Sequence, residues 1–323
     1  MLIYFLFTIV LIFLLLGYFR IADHFNIIDK PNHRSSHSAV TIRGGGIIFP
    51  ITALLWFLYF GFTSPRAIAG LGIMAVVSFL DDLKPVSFKI RILAHLAAVS
   101  FLFLQVQLFN LPWVYVVVAY LFTIGWINAF NFMDGINGIT PFYSLMALCT
   151  FLWINHNLPF APKELIILLI ISVLVFSFFN ARKRALTFAG DVGSVTMAFL
   201  LAWLMIGLML KTGRIEYVLF FAVYGIDTVI TIIYRLKRRE NIFEAHRSHL
   251  FQFLSNELRW PHVLVSSVYA ITQLLINVIT IWLFSNGMMS ITVFASFLFL
   301  LTVLYLLARL RVESNIQKKR RFS

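Results

Sequence analysis

Charge is what this sequence has least of. Of 323 residues, 12% are Asp, Glu, Lys or Arg, while 61% are hydrophobic. That balance excludes a soluble globular domain, which has no means of hiding so much apolar surface. Acids are scarcer still, 13 against 26 Lys and Arg, so the few carboxylates near apolar runs stand out as functional candidates. The single cysteine, Cys149, excludes an intrachain disulfide and a cysteine metal site. The first apolar run lacks a basic leader and a small-residue cleavage site, so it reads as a retained span rather than a signal peptide. No internal repeat, low-complexity tract or long linker divides the chain. The net charge of +13 comes without any basic–aromatic module, which argues against nucleic acid as a partner. The basic residues instead flank apolar runs, where anionic lipid headgroups attract them.

What the chain does have is apolar runs long enough to cross a bilayer. We read about eleven, near 1–19, 45–62, 66–80, 92–109, 113–130, 138–154, 164–180, 192–210, 215–234, 262–284 and 289–308. The expected fold is therefore all-α: a polytopic integral membrane protein with one transmembrane domain over 1–309 and a basic cytoplasmic tail over 310–323. Several runs are short or contain glycine, so tilted and broken helices are expected. Lys and Arg set the orientation. Of the 26, 22 fall after odd-numbered runs and only Arg66, Lys163, Lys211 and Arg214 fall on the other face. Positive charge stays in the cytoplasm, which puts the C-terminus there and the N-terminus outside.

The polar clusters follow the same bias and all fall on the cytoplasmic face. Asp81-Asp82 ends the third run, where a helix C-terminus favours cations over two adjacent anions. Neighbouring helical residues point about 100° apart, so the two should take different roles, one toward a substrate and the other holding Lys84, Lys89 or a metal shell. Asn128, Asn131 and Asp134 recur at three-residue spacing on one helix face, with Gly135, Asn137 and Gly138 breaking the helix after them. Amides beside a carboxylate suit a hard cation such as Mg²⁺, or the edge of a base; the plain alternative is a capped Asp-Gly turn. Gly190-Asp191-Val192-Gly193-Ser194 opens the eighth run. Its small residues allow phosphate to approach helix N–H groups if a metal offsets Asp191, although Asp191 or Ser194 as an ordinary helix cap explains the motif equally well. His246-Arg247-Ser248-His249 reads as a diphosphate clamp better than as a metal site, because Arg247 opposes a cation. The first loop adds Arg34, His37 and Arg43 before Gly44-Gly45-Gly46, which permits close helix or ligand approach. Asp227 lies inside the ninth run and should face protein. His95, His156 and His262 read as structural.

Taken together, these motifs resemble the polyprenyl-phosphate N-acetylhexosamine-1-phosphate transferases, the bacterial glycosyltransferase family 4 type. The resemblance rests on Asp29-x-Pro31-x-x-Arg34-x-x-His37, the Arg43-Gly-Gly-Gly segment, Asp81-Asp82, Asn128-x-x-Asn131-x-x-Asp134-Gly135, Gly190-Asp191-x-Gly193-Ser194 and His246-Arg247-x-His249. It implies an enzyme of the bacterial cytoplasmic membrane that moves a sugar 1-phosphate from a UDP-N-acetylhexosamine to undecaprenyl phosphate and releases UMP. It also implies Mg²⁺, with Mn²⁺ able to substitute, held by Asp191 and Asn131. Asp81 then takes the place of the base for the lipid phosphate, with Asp82 supporting it and Asp191 completing the catalytic set. Asn128, Asp134 and Asn137 fall where the family binds nucleotide or shapes the metal site. His246, Arg247 and His249, with Arg34, His37 and Arg43, fall where it grips diphosphate and sugar. Three departures stand out. Val40-Thr41-Ile42 replaces a frequent proline, Asn137 replaces a second aspartate, and the histidine loop lacks three consecutive histidines. The last points away from the muramyl-pentapeptide branch and toward enzymes that begin O-antigen-like surface polysaccharides. The rival readings are a lipid-linked-sugar transporter or flippase, which needs polar residues at mid-membrane, and an alcohol phosphatidyltransferase, whose longer Asp-Gly signature is absent. The apolar surface shows no seam from which to read an oligomeric state.

Overall fold

A computed structural model describes residues 2–29, 40–241 and 247–321. Among them, eleven long helical segments occupy the eleven predicted runs. They are α1 (Leu2–His24), α2 (Ile48–Tyr59, led by a 3₁₀ turn at Gly45–Ile47), α3 (Pro65–Leu83), α4 (Phe88–Gln105), α5 (Trp113–Met133), α6 (Ile139–Asn157), α7 (Lys163–Asn180), α8 (Gly190–Thr212), α9 (Ala222–Lys237), α11 (His262–Ser285) and α12 (Ile291–Arg321). A short helix, α10 (Leu250–Gln252), continues into a π turn. Broken helices are expected in general, and the ninth run is one: a 3₁₀ stretch, Ile215–Phe221, precedes α9. Eight of these segments are long and apolar enough to cross a membrane; α2, α3 and α6 fall short of that measure. The chain is a multi-pass membrane protein. Strands β1 (Ile28–Asp29) and β2 (Thr41–Ile42) pair antiparallel and are its only sheet among the described residues.

Proline punctuates the helices. Pro65 opens α3, and Pro112, Pro162 and Pro261 stand at the N-caps of α5, α7 and α11, positions where a missing N–H costs nothing. The core is built around α8, apolar on all sides and buried along most of its length. It packs against α2, α3, α5 and α6, and Trp126 of α5 donates its indole N–H to the Ala198 carbonyl at 3.0 Å. At its first turn, α8 meets the Gly44–Gly46 segment backbone to backbone. A Cβ on Gly46 would stand 2.3 Å from Gly193 Cα, so Gly46 serves helix approach. Phe188 N–H donates to the Ile42 carbonyl, while Gly45 and Gly46 donate to the carbonyls of Phe188 and Ala189. These bonds fasten the first loop to the start of α8.

Polar side chains deep in the bundle satisfy one another. Gln273 donates to Asn277 Oδ1 at 2.7 Å, Asn277 donates to Thr150 at 2.9 Å, and Tyr143 donates to Gln273 at 2.8 Å. These contacts link α6 to α11.

Candidate active site

The site begins with Asp82. Its side chain has no solvent exposure and reaches from the end of α3 to the start of α8. Oδ1 accepts the Asp191 N–H at 2.8 Å and Oδ2 the Val192 N–H at 2.9 Å. The first N–H groups of a helix have no partner within it, and their end carries partial positive charge, so a carboxylate there is doubly favourable. The residue preceding α8 is Ala189, which has no polar atom for the task, so the cap comes from another helix. Gly190 makes room for it: its φ is +71°, and a Cβ would stand 2.5 Å from Asp82 Oδ2. Arg43, delivered by the fastened first loop, donates from Nε to Asp82 Oδ1 at 2.7 Å and stands 3.9 Å from Asp191 Oδ1.

Asp81 points elsewhere, as a neighbour about 100° around a helix must. It accepts the Val86 N–H at 2.5 Å and Arg91 Nη1 at 3.1 Å. The two aspartates do hold different roles, but neither lysine expected as their partner is used: arginines 43 and 91 take those places. Asp81, Arg91, His95, Asn128, Asn131 and Asp191 line one cavity of about 420 Å³. Asn128 donates to the Ile124 carbonyl one turn back. Asn131 Oδ1 accepts the Ser194 hydroxyl at 2.5 Å, which ties α5 to α8. The Asp191 side chain is 24% exposed, the most open of the three carboxylates.

Several predicted site residues lie apart from this cavity. Asp82 caps the first turn of α8 and is not among the residues lining the cavity. Asp134 follows α5 and accepts the Thr140 hydroxyl at 2.5 Å. Burial, with the nearby Asp82 charge, pushes its carboxyl up to about 6 against the pull of Thr140 and Arg43. Asn137 donates to the Arg182 carbonyl at 2.8 Å, and its own carbonyl accepts Ser266; it braces a turn. His249 is 1% exposed, and its Nδ1 is 3.0 Å from Asp227 Oδ1, so it anchors its loop rather than gripping a ligand. Arg247 is half-buried at the start of that segment. Arg34, His37 and His246 lie outside the described residues. Two ionisable side chains that line the cavity are absent from the predicted site. Arg91 was read only as a topology charge and His95 as structural, yet their i, i+4 spacing places them on one face of α4.

Arg43, the Asp81-Asp82 pair, Asn131 and the Gly190–Ser194 segment thus meet at the start of α8. The segment after His249 docks beside them: a Cβ on Gly135 would stand 3.0 Å from the Phe251 ring. The model of glycosyl transferase family 4 matches residues 65–209, which contain every residue lining the cavity except Ile232. Over that stretch the chain is similar to glycosyl transferase family 4. Among its relatives is the "probable undecaprenyl-phosphate N-acetylglucosaminyl 1-phosphate transferase" of Bacillus subtilis, 26% identical over 294 residues, covering 82% of this chain and 81% of that one. The undecaprenyl-phosphate alpha-N-acetylglucosaminyl 1-phosphate transferase of Salmonella typhi is 28% identical over 274 residues, 76% and 73% of the two chains. A phospho-N-acetylmuramoyl-pentapeptide-transferase of Thermotoga neapolitana is 26% identical over 266 residues, 74% and 83%. The chain keeps its carboxylates and amides where three helices and one loop converge.

The cavity also suits a divalent cation. Asp81, Asp82 and Asp191 adjoin one another, and among the described residues Arg43 and Arg91 pair with them, so three carboxyl groups face two guanidinium groups. Asp191 and the asparagines offer hard oxygen donors. No cluster of three or more acidic, histidine or cysteine side chains forms a closed metal cage among the described residues. Mg²⁺ does not require one, because it is held by one or two carboxylates together with water and substrate phosphates.

Proposed function

We propose that this chain transfers N-acetylhexosamine 1-phosphate from a UDP-linked sugar to undecaprenyl phosphate, releasing UMP, at the cytoplasmic face of a bacterial inner membrane. One observation carries the reading: the polar cavity shares a wall with an apolar groove. Ile232 of α9 lines both the 420 Å³ cavity and a groove of about 480 Å³ between α5, α9 and α12, bordered by Leu121, Gly125, Trp126 and Leu298. A reaction between a water-borne nucleotide sugar and a lipid-borne phosphate needs such a pairing. The relatives' names support undecaprenyl phosphate as acceptor and N-acetylglucosamine as the sugar. In this reading all eleven long segments cross the bilayer, the N-terminus lies outside and the basic end of α12 lies in the cytoplasm.

In the proposed step, an oxygen of the lipid phosphate attacks the phosphorus that carries the sugar. The bond from that phosphorus to the bridging oxygen breaks, and UMP leaves. Asp81, on the cavity wall, takes the proton of the lipid phosphate and aims its headgroup; Arg91 holds the Asp81 carboxylate in place. Asp191 and Asn131 would hold Mg²⁺, whose chemistry is to neutralise charge on the diphosphate. Asp82 and Arg43 keep Asp191 at the first turn of α8, and Asn128 binds the nucleotide. Arg247 grips the diphosphate from the His246–His249 segment.

The test supplies purified protein with undecaprenyl phosphate and a panel of UDP-N-acetylhexosamines, and follows UMP. The expected result is UMP release that stops on chelation and returns with Mg²⁺ or Mn²⁺. No release with any sugar nucleotide overturns the reading. Transport of a lipid-linked sugar without UMP release favours the flippase alternative.

A further inference from the structure

A second buried polar cluster lies outside the residues matched to the family. Asp227 of α9 is fully buried. Its Oδ1 is approached by His249 Nδ1 at 3.0 Å, the Tyr305 hydroxyl at 3.0 Å, the Thr231 hydroxyl at 3.2 Å and the Leu250 N–H at 3.4 Å; Oδ2 accepts Tyr269 at 2.6 Å. On the far side of those hydroxyls sits Arg309 of α12, also fully buried. Its Nη1 donates to Thr231 at 2.9 Å and to Tyr305 at 3.2 Å, and its Nη2 donates to the Ser248 carbonyl at 2.9 Å. A buried anion and a buried cation are therefore joined through two hydroxyls, each accepting from the guanidinium and donating to the carboxylate. Three consecutive residues, Ser248, His249 and Leu250, bond directly to one charge or the other, and they follow Arg247 without a break. The cluster also adjoins the site: Thr231 belongs to it, and Ile232, next in sequence, lines the cavity.

We propose that Asp227, His249 and Arg309 form a clasp by which α12 positions Arg247 for the diphosphate of the sugar nucleotide. These are positioning residues, and the assignment rests on the function proposed above. Asp227, His249 and Arg309 are not among the residues lining the apolar groove assigned to the lipid, so the clasp should act on the grip of the sugar nucleotide and not on that of the lipid. It also gives α12 a part in donor binding from outside the matched region.

The experiment uses the full chain with UDP-N-acetylglucosamine and undecaprenyl phosphate. Arg309→Met removes the charge while keeping an apolar side chain of similar length. It should raise KM for the sugar nucleotide about tenfold and leave KM for the lipid unchanged; in an Arg247→Ala background it should add nothing, because coupled residues do not add. Tyr305→Phe should move the same constant in the same direction by less. Equal effects on both substrates, or effects that add to Arg247→Ala, overturn the proposal. A second readout needs no turnover: trypsin cleavage after Arg247, followed by mass spectrometry of the substrate-free protein. Cleavage should be faster in Arg309→Met than in wild type, and an unchanged rate overturns the clasp. If wild type turns over no sugar nucleotide but the cleavage difference appears, the functional reading fails and the clasp remains.

Discussion

Two buried carboxylates organise two parts of this molecule, and they are satisfied in different ways. At the start of α8, Asp82 bonds to two backbone N–H groups and one guanidinium. Between α9 and α12, Asp227 draws on Thr231, His249, Tyr269 and Tyr305 side chains and a single backbone N–H. Backbone N–H groups can only donate. Hydroxyls donate or accept as their surroundings require. The cavity is therefore fixed by groups that tolerate no change of partner, and the clasp by groups that can adjust.

The sharpest way to break that comparison is to replace each aspartate by asparagine. In Asp82→Asn, one side-chain NH₂ faces a backbone N–H at the start of α8, donor against donor, and Asp191 loses its fixed place. We expect UMP release to fall by about 10²–10³-fold, the scale of losing one preorganised electrostatic group at a reacting phosphate, while the protein still inserts and purifies. Wild-type turnover in this variant would show that the cap does not position Asp191. Asp227→Asn should do far less. Its NH₂ can face Tyr269, whose hydroxyl turns to accept, and Arg309 keeps Glu313 at 3.0 Å. A rise of about threefold in sugar-nucleotide KM is expected, equivalent to ~0.7 kcal/mol. Equal losses in the two variants would erase the distinction between rigid and adaptable partners.

The same contrast explains how much was legible in the sequence. Apolar runs gave all eleven long helical segments, because membrane spans depend on local composition. Asp81, Asn128, Asn131 and Asp191 were found because they sit in short, closely spaced motifs. Asp82 is expected in a supporting role, but its partners at the start of α8 are not legible: they are N–H groups more than a hundred positions away, and backbone donors leave no mark in sequence. Arg91 and His95 were missed because a basic residue beside a span is explained well enough by topology. His249 was assigned to ligand grip by its company with Arg247, yet its ring turns inward to Asp227, a pairing set by how α9 meets the loop. Tyr305 and Arg309 lay beyond the motifs altogether.

The smallest expected effect separates two asparagines that looked alike in the sequence. Asn128 and Asn137 both belong to the cluster that closes α5 and opens α6, and both were read as substrate contacts. Only Asn128 lines the cavity; Asn137 gives its NH₂ to the Arg182 carbonyl. Asn128→Ala should therefore lower kcat/KM about tenfold, a loss of ~1.4 kcal/mol at the transition state. Asn137→Ala removes one buried hydrogen bond and should cost about 0.5–1.5 kcal/mol of stability. That loss appears as a lower unfolding midpoint in detergent, with kcat/KM within about twofold of wild type. The two readouts move in opposite proportion for the two variants, so the pair distinguishes contact from bracing. If Asn137→Ala instead lost turnover with an unchanged midpoint, the turn after α5 would belong to the nucleotide site, and the cavity would extend past Asp134 toward Arg182.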